Sequence, residues 1–221
     1  MLEIDWPATL PVPTPQQEEA VRPYLLRGSA REWKRFEPVR SLDLPHARRR
    51  EISAAAAAHG MRLEQALSLR TVLLKDAVPW KYYGTEASSL EAADAFEAAA
   101  ERHLARLGVR FVTQAQQQAR LVAQGVQGQG VPTPDFLFLE EHPVCINGAR
   151  VYWLEIKHFY GAGATDVRAW AAPRKAVPQA RRYLNAFGPG AVLFISGYSC
   201  AMRSWLPPEI QLLDGGCVDL G

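Results

Sequence analysis

The sequence predicts an α/β core behind a basic helical region, and three patterns predict it. Residues 87–107 repeat apolar side chains at helical steps. Between Val109 and Lys157 lie short apolar runs of strand length, two of them flanking Asn147-Gly148. From Pro178 a basic amphipathic helix leads into the continuous apolar run Ala191–Ser196, the signature of a fully buried strand. In chain order these make α-β-β-β-α-β.

At 221 residues the chain is long enough for one large domain, or one domain with a helical extension. Residues 1–20, with Pro7, Pro11, Pro13 and Pro15, read as extended or poorly ordered. Residues 21–84 read as a basic helical region. Ser41 or Asp43 can cap a helix through HARRREISAAAAA that His59-Gly60 ends, and MRLEQALSLRTVLLKDA follows with a broad apolar stripe. Pro79, Tyr82-Tyr83 and Gly84 read as a connector to the α/β core, residues 85–200. Ser88 or Ser89 can cap its first helix; Ala93, Phe96, Ala100, Leu104 and Leu107 form the buried stripe, and Gly108 ends it. Val109–Thr113 reads as a strand, and QAQQQARLVAQGVQGQG as a flexible polar loop beside a substrate groove. Two strands, led by Asp135 and closed by Glu155-Ile156-Lys157, come next, then the helix opened by Pro178 and the last strand. Residues 201–221 read as a tail.

Composition narrows the function classes. An apolar fraction of 48% with 22% charged residues is that of a soluble globular chain, and no apolar run approaches the length of a membrane span. MLEIDWPATLPVP has acid where a signal peptide has base, and Cys145, Cys200 and Cys217 form no C-x-x-C, so an intracellular protein with reduced thiols is expected. Residues 20–80 hold twelve Lys/Arg against six Asp/Glu, so the rest of the chain is net acidic. A basic front of this kind fits contact with a polyanion. Arg48, Arg49 and Arg50 at the start of one helix, followed by a tight turn and a second helix, suggest a helix-turn-helix-like unit gripping nucleic-acid backbone, with close packing on the core as the competing account.

The chemistry concentrates at Asp135 and at Glu155-Ile156-Lys157. A strand of Phe136, Leu137, Phe138 and Leu139 has no packing reason to begin with an aspartate, nor has Val151-Tyr152-Trp153-Leu154 to end in two charges. Strand side chains alternate, so Glu155 and Lys157 project from one side. If the two strands pair, Asp135 joins them. Two such carboxylates repel unless a cation lies between them, and hard oxygen ligands suit Mg²⁺ or Mn²⁺. A lysine beside them can stabilise charge on a phosphate in flight. An edge-strand surface ion pair is the plainer account, but Trp153, Ile156 and Phe159 argue against free solvation. Elsewhere the tripeptide pattern means little, since Glu32-Trp33-Lys34 also fits it without strand context.

The run PTPD, a hydrophobic strand, NG, YWLEIKHFYG and then QARRYLNAFGPGAVLFISG resembles the PD-(D/E)XK nuclease superfamily, and within it the TPD family, whose animal member is a codanin-interacting nuclease. The resemblance covers roughly residues 85–200. It implies a restriction-endonuclease-like αβββαβ core and a divalent-metal-dependent nuclease acting on DNA or RNA. Asp135, Glu155 and the backbone carbonyl of Ile156 would be metal ligands, and Lys157 would activate water and stabilise the transition state. It implies a further glutamate on the first core helix, Glu97, with Glu101 as rival. The Gln179-x-x-x-Tyr183 spacing, on one helix face with Arg182, resembles a superfamily element that orients substrate phosphate or the catalytic lysine. A codanin-like protein is an implied partner, with nuclear and/or cytoplasmic location. The alternative is an adaptor that keeps the nuclease fold without turnover, binding nucleic acid or protein in a codanin-like complex.

Overall fold

A computed structural model describes residues 1–7, 12–27, 44–77, 86–126, 130–163 and 171–217. Among these, seven α-helices and two mixed sheets form an α/β fold. The strands are β1 (Leu2–Ile4), β2 (Phe111–Thr113), β3 (Phe136–Phe138), β4 (Val144–Ile146), β5 (Ala149–Val151), β6 (Trp153–Lys157), β7 (Gly190–Phe194) and β8 (Ile210–Asp214). The helices are α1 (Pro15–Leu26), α2 (His46–Ala58), α3 (Leu63–Ala77), α4 (Glu86–Arg106), α5 (Gln114–Ala123), α6 (Ala171–Phe187) and α7 (Cys200–Trp205).

The main sheet runs β2-β3-β6-β7-β8, antiparallel through β6 and parallel from there on. Its central strands alternate between two cores. Phe136, Phe138, Leu154, Ile156, Ala191 and Leu193 pack under Ala100 and Leu104 of α4 and under the small sheet β1-β4-β5. Trp153, Val192 and Phe194 face α6 and α7, against Ala180, Tyr183 and Met202. Gly190 is glycine for a steric reason: a Cβ there would lie 2.1 Å from the Trp153 ring. Asn147 (φ 48°) and Gly148 (φ 76°) make the β4–β5 turn, where two positive φ values match the strand twist.

Helices α1, α2 and α3 share a core of Val21, Leu25, Ile52, Ala56, Leu69 and Val72 that also buries Tyr160 and Ala162, just beyond β6. Three polar ties hold this unit beside the ends of β6 and β8. Tyr160 N–H donates to Ser68 Oγ at 2.9 Å, Gly163 N–H to the buried Glu18 carboxylate at 3.1 Å, and Arg62 pairs with the fully buried Asp214 at 2.6 Å.

Several expectations need correction. Residues 1–20 read as extended or poorly ordered, but their described residues carry two regular elements. Leu2–Ile4 adds a parallel strand to β4, and Thr14 starts α1 with a capping box to Gln17, its Pro15 at the first helical position. The first ten residues of the polar stretch after β2 are not a loop, because Thr113 and Gln116 form a second capping box that starts α5, Gln114–Ala123. Pro178 does not open α6 but lies inside it, seven residues past its start. The Asn147-Gly148 hairpin is present, but β4 and β5 belong to the small sheet. Residues 201–217 are not a tail: α7 packs on the main sheet through Met202, and β8 adds a strand beside β7, with Ile210 fully buried. Helix α4 begins at Glu86, so Ser88 and Ser89 lie within it rather than capping it. Pro45 occupies the N-cap of α2 without a side-chain bond, and Ser41, Asp43 and the 79–84 connector fall outside the described residues.

Candidate active site

The cluster forms where β3 and β6 pair. The antiparallel register sets Phe136 opposite Leu154, which leaves Asp135 at the start of β3 beside the charged end of β6. Alternation then puts Glu155 and Lys157 with Trp153, on the face covered by α6. Asp135 N–H donates to Glu155 Oε2 at 3.3 Å, and Ile156 N–H donates to Asp135 Oδ2 at 2.6 Å. Lys157 Nζ donates to Glu155 Oε1 at 2.5 Å and to Gln179 Oε1 at 3.0 Å.

The lysine is the head of a directed chain of hydrogen bonds. Gln179 accepts from Lys157 through its oxygen, so its Nε2 is free to donate to the Tyr183 hydroxyl, at 2.7 Å. Tyr183 in turn donates to the Thr133 carbonyl at 3.3 Å. Burial, then the Glu155 charge, pushes the Tyr183 phenol above its ordinary pKa, which keeps it a neutral donor. Its ring is fixed edge-on to Trp153 at 5.3 Å between centroids, and Trp153 Nε1–H is held by Gly188 O at 2.8 Å. A buried aromatic with its polar atom satisfied is a rigid support.

Charge is concentrated here. Glu155 is only 4% exposed. Burial first, then the Glu155 charge and, less strongly, Glu97, pushes Asp135 up to about 8, against the Ile156 amide and Lys157, which lower it. Glu97 is likewise raised, by its own burial first, then by Asp94 and Glu155. It therefore feels the cluster, whereas Glu101, one turn on, is exposed. Glu97 approaches from α4, which packs on the opposite face of the sheet from α6.

That two-sided approach bears on metal binding. Among the described residues no three His, Cys, Asp or Glu side chains gather closely enough to hold an ion. The donor set nonetheless fits Mg²⁺ or Mn²⁺, which need only one or two carboxylates and keep several waters. Asp135 Oδ1 carries no protein hydrogen bond among the described residues, and Glu155 Oε2 accepts the Asp135 amide. The Ile156 carbonyl points to the same edge as its N–H, towards Asp135, since the neighbouring Lys157 carbonyl turns the other way to accept Ile195 N–H.

The remaining candidates divide. Gln179 and Tyr183 join the cluster, while Arg181 and Arg182 are exposed and Arg181 donates to Trp205 O. Arg48 does not project freely. It pairs with Glu51 at 2.5 Å and donates to Tyr24 O, which leaves Arg49 and Arg50 as the exposed members of that run. Arg70 is buried and donates to Leu25 O. Glu32-Trp33-Lys34 lies outside the described residues.

Two residues of the site escape the sequence reading. Gln114 and Gln117 hold the Thr133-Pro134 carbonyls from α5. The signal was available in Thr113-x-x-Gln116, a capping-box spacing that announces a helix where composition suggests a loop.

An α/β fold whose paired strands bring an aspartate, a glutamate and a lysine together defines a protein with a built acidic–basic centre. Residues 64–214, more than half of the chain, match the family described as a protein of unknown function with the TPD sequence motif, and the chain belongs to that family. No curated protein and no solved structure matches it.

Proposed function

We propose that this protein is a divalent-metal-dependent nuclease of the PD-(D/E)XK type, hydrolysing phosphodiester bonds of DNA or RNA. The observation that carries the reading is the joint placement of Asp135, Glu155 and Lys157, with the lysine aimed by Gln179 at 3.0 Å. A structural ion pair needs no second acceptor to aim the ammonium, and no second carboxylate tied in by a backbone amide.

In this reading Asp135, Glu155 and the Ile156 carbonyl hold a Mg²⁺ or Mn²⁺ ion, with Glu97 approaching from α4. The bound ion would supply Lewis-acid polarisation of the phosphate and a lowered pKa for the attacking water. Lys157 stays an ammonium donor between Glu155 and Gln179 and stabilises negative charge as the water oxygen–phosphorus bond forms and the ester P–O bond breaks. The attacking water gives up a proton to solvent and the departing oxygen takes one from solvent, so the hydrolysis balances. Trp153 and Tyr183 keep the ammonium from drifting, which matters because displacement by about 1 Å can cost on the order of a hundredfold in rate.

Arg49 and Arg50 would add sequence-independent affinity through phosphate contacts. The adaptor reading, with a codanin-like partner, keeps the same fold and predicts binding without turnover. Cleavage of labelled single-stranded, duplex, flap and RNA substrates with and without Mg²⁺ or Mn²⁺ separates the two, and binding without metal-dependent cleavage by wild type would favour the adaptor.

A further inference from the structure

We propose that Gln117, with Gln114 beside it, is a positioning residue for Asp135, an inference that rests on the reading of this cluster as catalytic. Helix α5 lies on the surface, and Gln117 is its buried side chain, at 7% exposed. An amphipathic helix normally docks through apolar groups, and a buried primary amide is costly unless bonded. Gln117 Nε2 is bonded twice, to Val112 O at 3.1 Å and to Pro134 O at 2.8 Å. One turn earlier Gln114 Nε2 donates to Thr133 O at 3.0 Å, and Gln114 N–H donates to Asp135 O at 3.0 Å.

Each carbonyl of the Thr133-Pro134-Asp135 triplet is therefore held by α5. Pro134 has no N–H of its own, so the triplet cannot be fixed by a regular ladder on its donor side. The Gln117 side chain fixes the peptide plane entering Asp135 and the Gln114 backbone amide the plane leaving it, and with them the direction of its carboxylate. The Thr133 carbonyl also accepts Tyr183 O–H, so the support of Asp135 and the chain that aims Lys157 meet at one atom. A helix with no other buried side chain among its described residues thus sets the relative placement of the acid and the lysine.

The test is site-resolved amide hydrogen exchange on the full metal-free chain, comparing wild type with Gln117→Met, which keeps side-chain length and removes the donors. Loss of about one hydrogen bond at the triplet predicts about tenfold faster exchange at Asp135 and at Ile156, whose amide rests on the Asp135 carboxylate, with the amides of β7 unchanged. Gln114→Ala, at a half-buried position, should give a smaller acceleration at the same two amides and covers the case in which Gln117→Met fails to fold. Equal acceleration across β7, or no change at Asp135 and Ile156 in the folded variants, would overturn the proposal in favour of simple helix anchoring. Cleavage is read alongside: the variants should lose rate rather than substrate affinity. A wild type that cleaves nothing would sink the nuclease reading while leaving the exchange result to decide Gln117.

Discussion

Asp135 and Glu155 are joined through backbone amides, not through a shared proton. Asp135 donates its N–H to the Glu155 carboxylate, and its own carboxylate accepts the N–H of the residue after Glu155, at 2.6 Å. This reciprocal arrangement fixes both acids at the crossing of β3 and β6 while leaving one oxygen of Asp135 without a protein hydrogen bond among the described residues. It also holds two like charges close together, and the fold carries the cost.

That cost has a pH signature. The folded-state pKa of Asp135, about 8, lies above that of an unfolded aspartate at about 3.9. The folded chain therefore binds this proton more tightly, and the associated stability is present in full below about pH 4 and lost as pH rises through about 8. Asp135→Asn escapes the loss. Without divalent ions its Tm should match wild type near pH 4 and exceed it by at least about 4 °C at pH 8.5, at 2–4 °C per kcal/mol for a chain of this size. Parallel melting curves for the two proteins across the pH range would expose the idea as wrong.

Lys157 is the only cation bonded to Glu155 among the described residues, and Glu155 is nearly inaccessible to water. Lys157→Met should destabilise the chain by about 3 kcal/mol, as expected when one partner of a buried pair is removed. Urea unfolding measures it. Lys157→Arg should recover much of the stability without recovering cleavage, since the planar guanidinium cannot occupy the ammonium's place between Glu155 and Gln179.

Gly190→Ala drives a methyl group into the Trp153 indole, 2.1 Å from its nearest atom. Trp153 supports Tyr183, so the variant should lose at least about 1–3 kcal/mol and disturb the hydrogen-bond chain to Lys157. A near-ultraviolet circular dichroism spectrum and Tm equal to wild type would show that the indole moves aside freely.

On the proposed reading, any contact of the basic run on α2 with nucleic acid falls to Arg49 and Arg50, its exposed members. Arg49→Glu/Arg50→Glu should weaken nucleic-acid affinity and flatten its salt dependence while the fold survives. Arg48→Glu should instead destabilise, because it sets a carboxylate against Glu51 and the Tyr24 carbonyl. Fluorescence anisotropy at several salt concentrations reads the first effect and thermal melting the second. Unchanged affinity at low salt for the double variant would leave this face as scaffold.

The core of the site is legible in the sequence because it breaks the local pattern. Asp135, Glu155 and Lys157 interrupt apolar strands, and period-two alternation then places the last two on one face. Four-residue spacing places Gln179 and Tyr183 on one helix face, and the resemblance of that pattern to a superfamily element is what points them at the lysine. The hairpin at Asn147-Gly148 is equally plain, but which sheet it joins is not, since the parallel pairing of β1 with β4 spans the chain and leaves no local trace. Composition misleads twice, at α1 and α5, where proline and glutamine suggest disorder and a capping box at each start creates a helix. Pro178 misleads in the same way: it stands well inside α6, which is already formed before it. The last strand, β8, is opaque because IQLLD is short and only its burial against β7 makes it a strand.

The most direct measurement is metal-dependent cleavage by wild type, Asp135→Asn, Glu155→Gln and Lys157→Ala, purified identically and assayed on the same labelled substrates with Mg²⁺ and with Mn²⁺. Wild type should cleave with metal and stop when it is chelated, and each variant should lose at least about a hundredfold in rate, the scale of removing one electrostatic stabiliser. Lys157→Ala should still bind Mn²⁺ by calorimetry, because the lysine is not a ligand. Three variants that cleave like wild type, or a wild type with no metal-dependent cleavage of any substrate, would contradict the account.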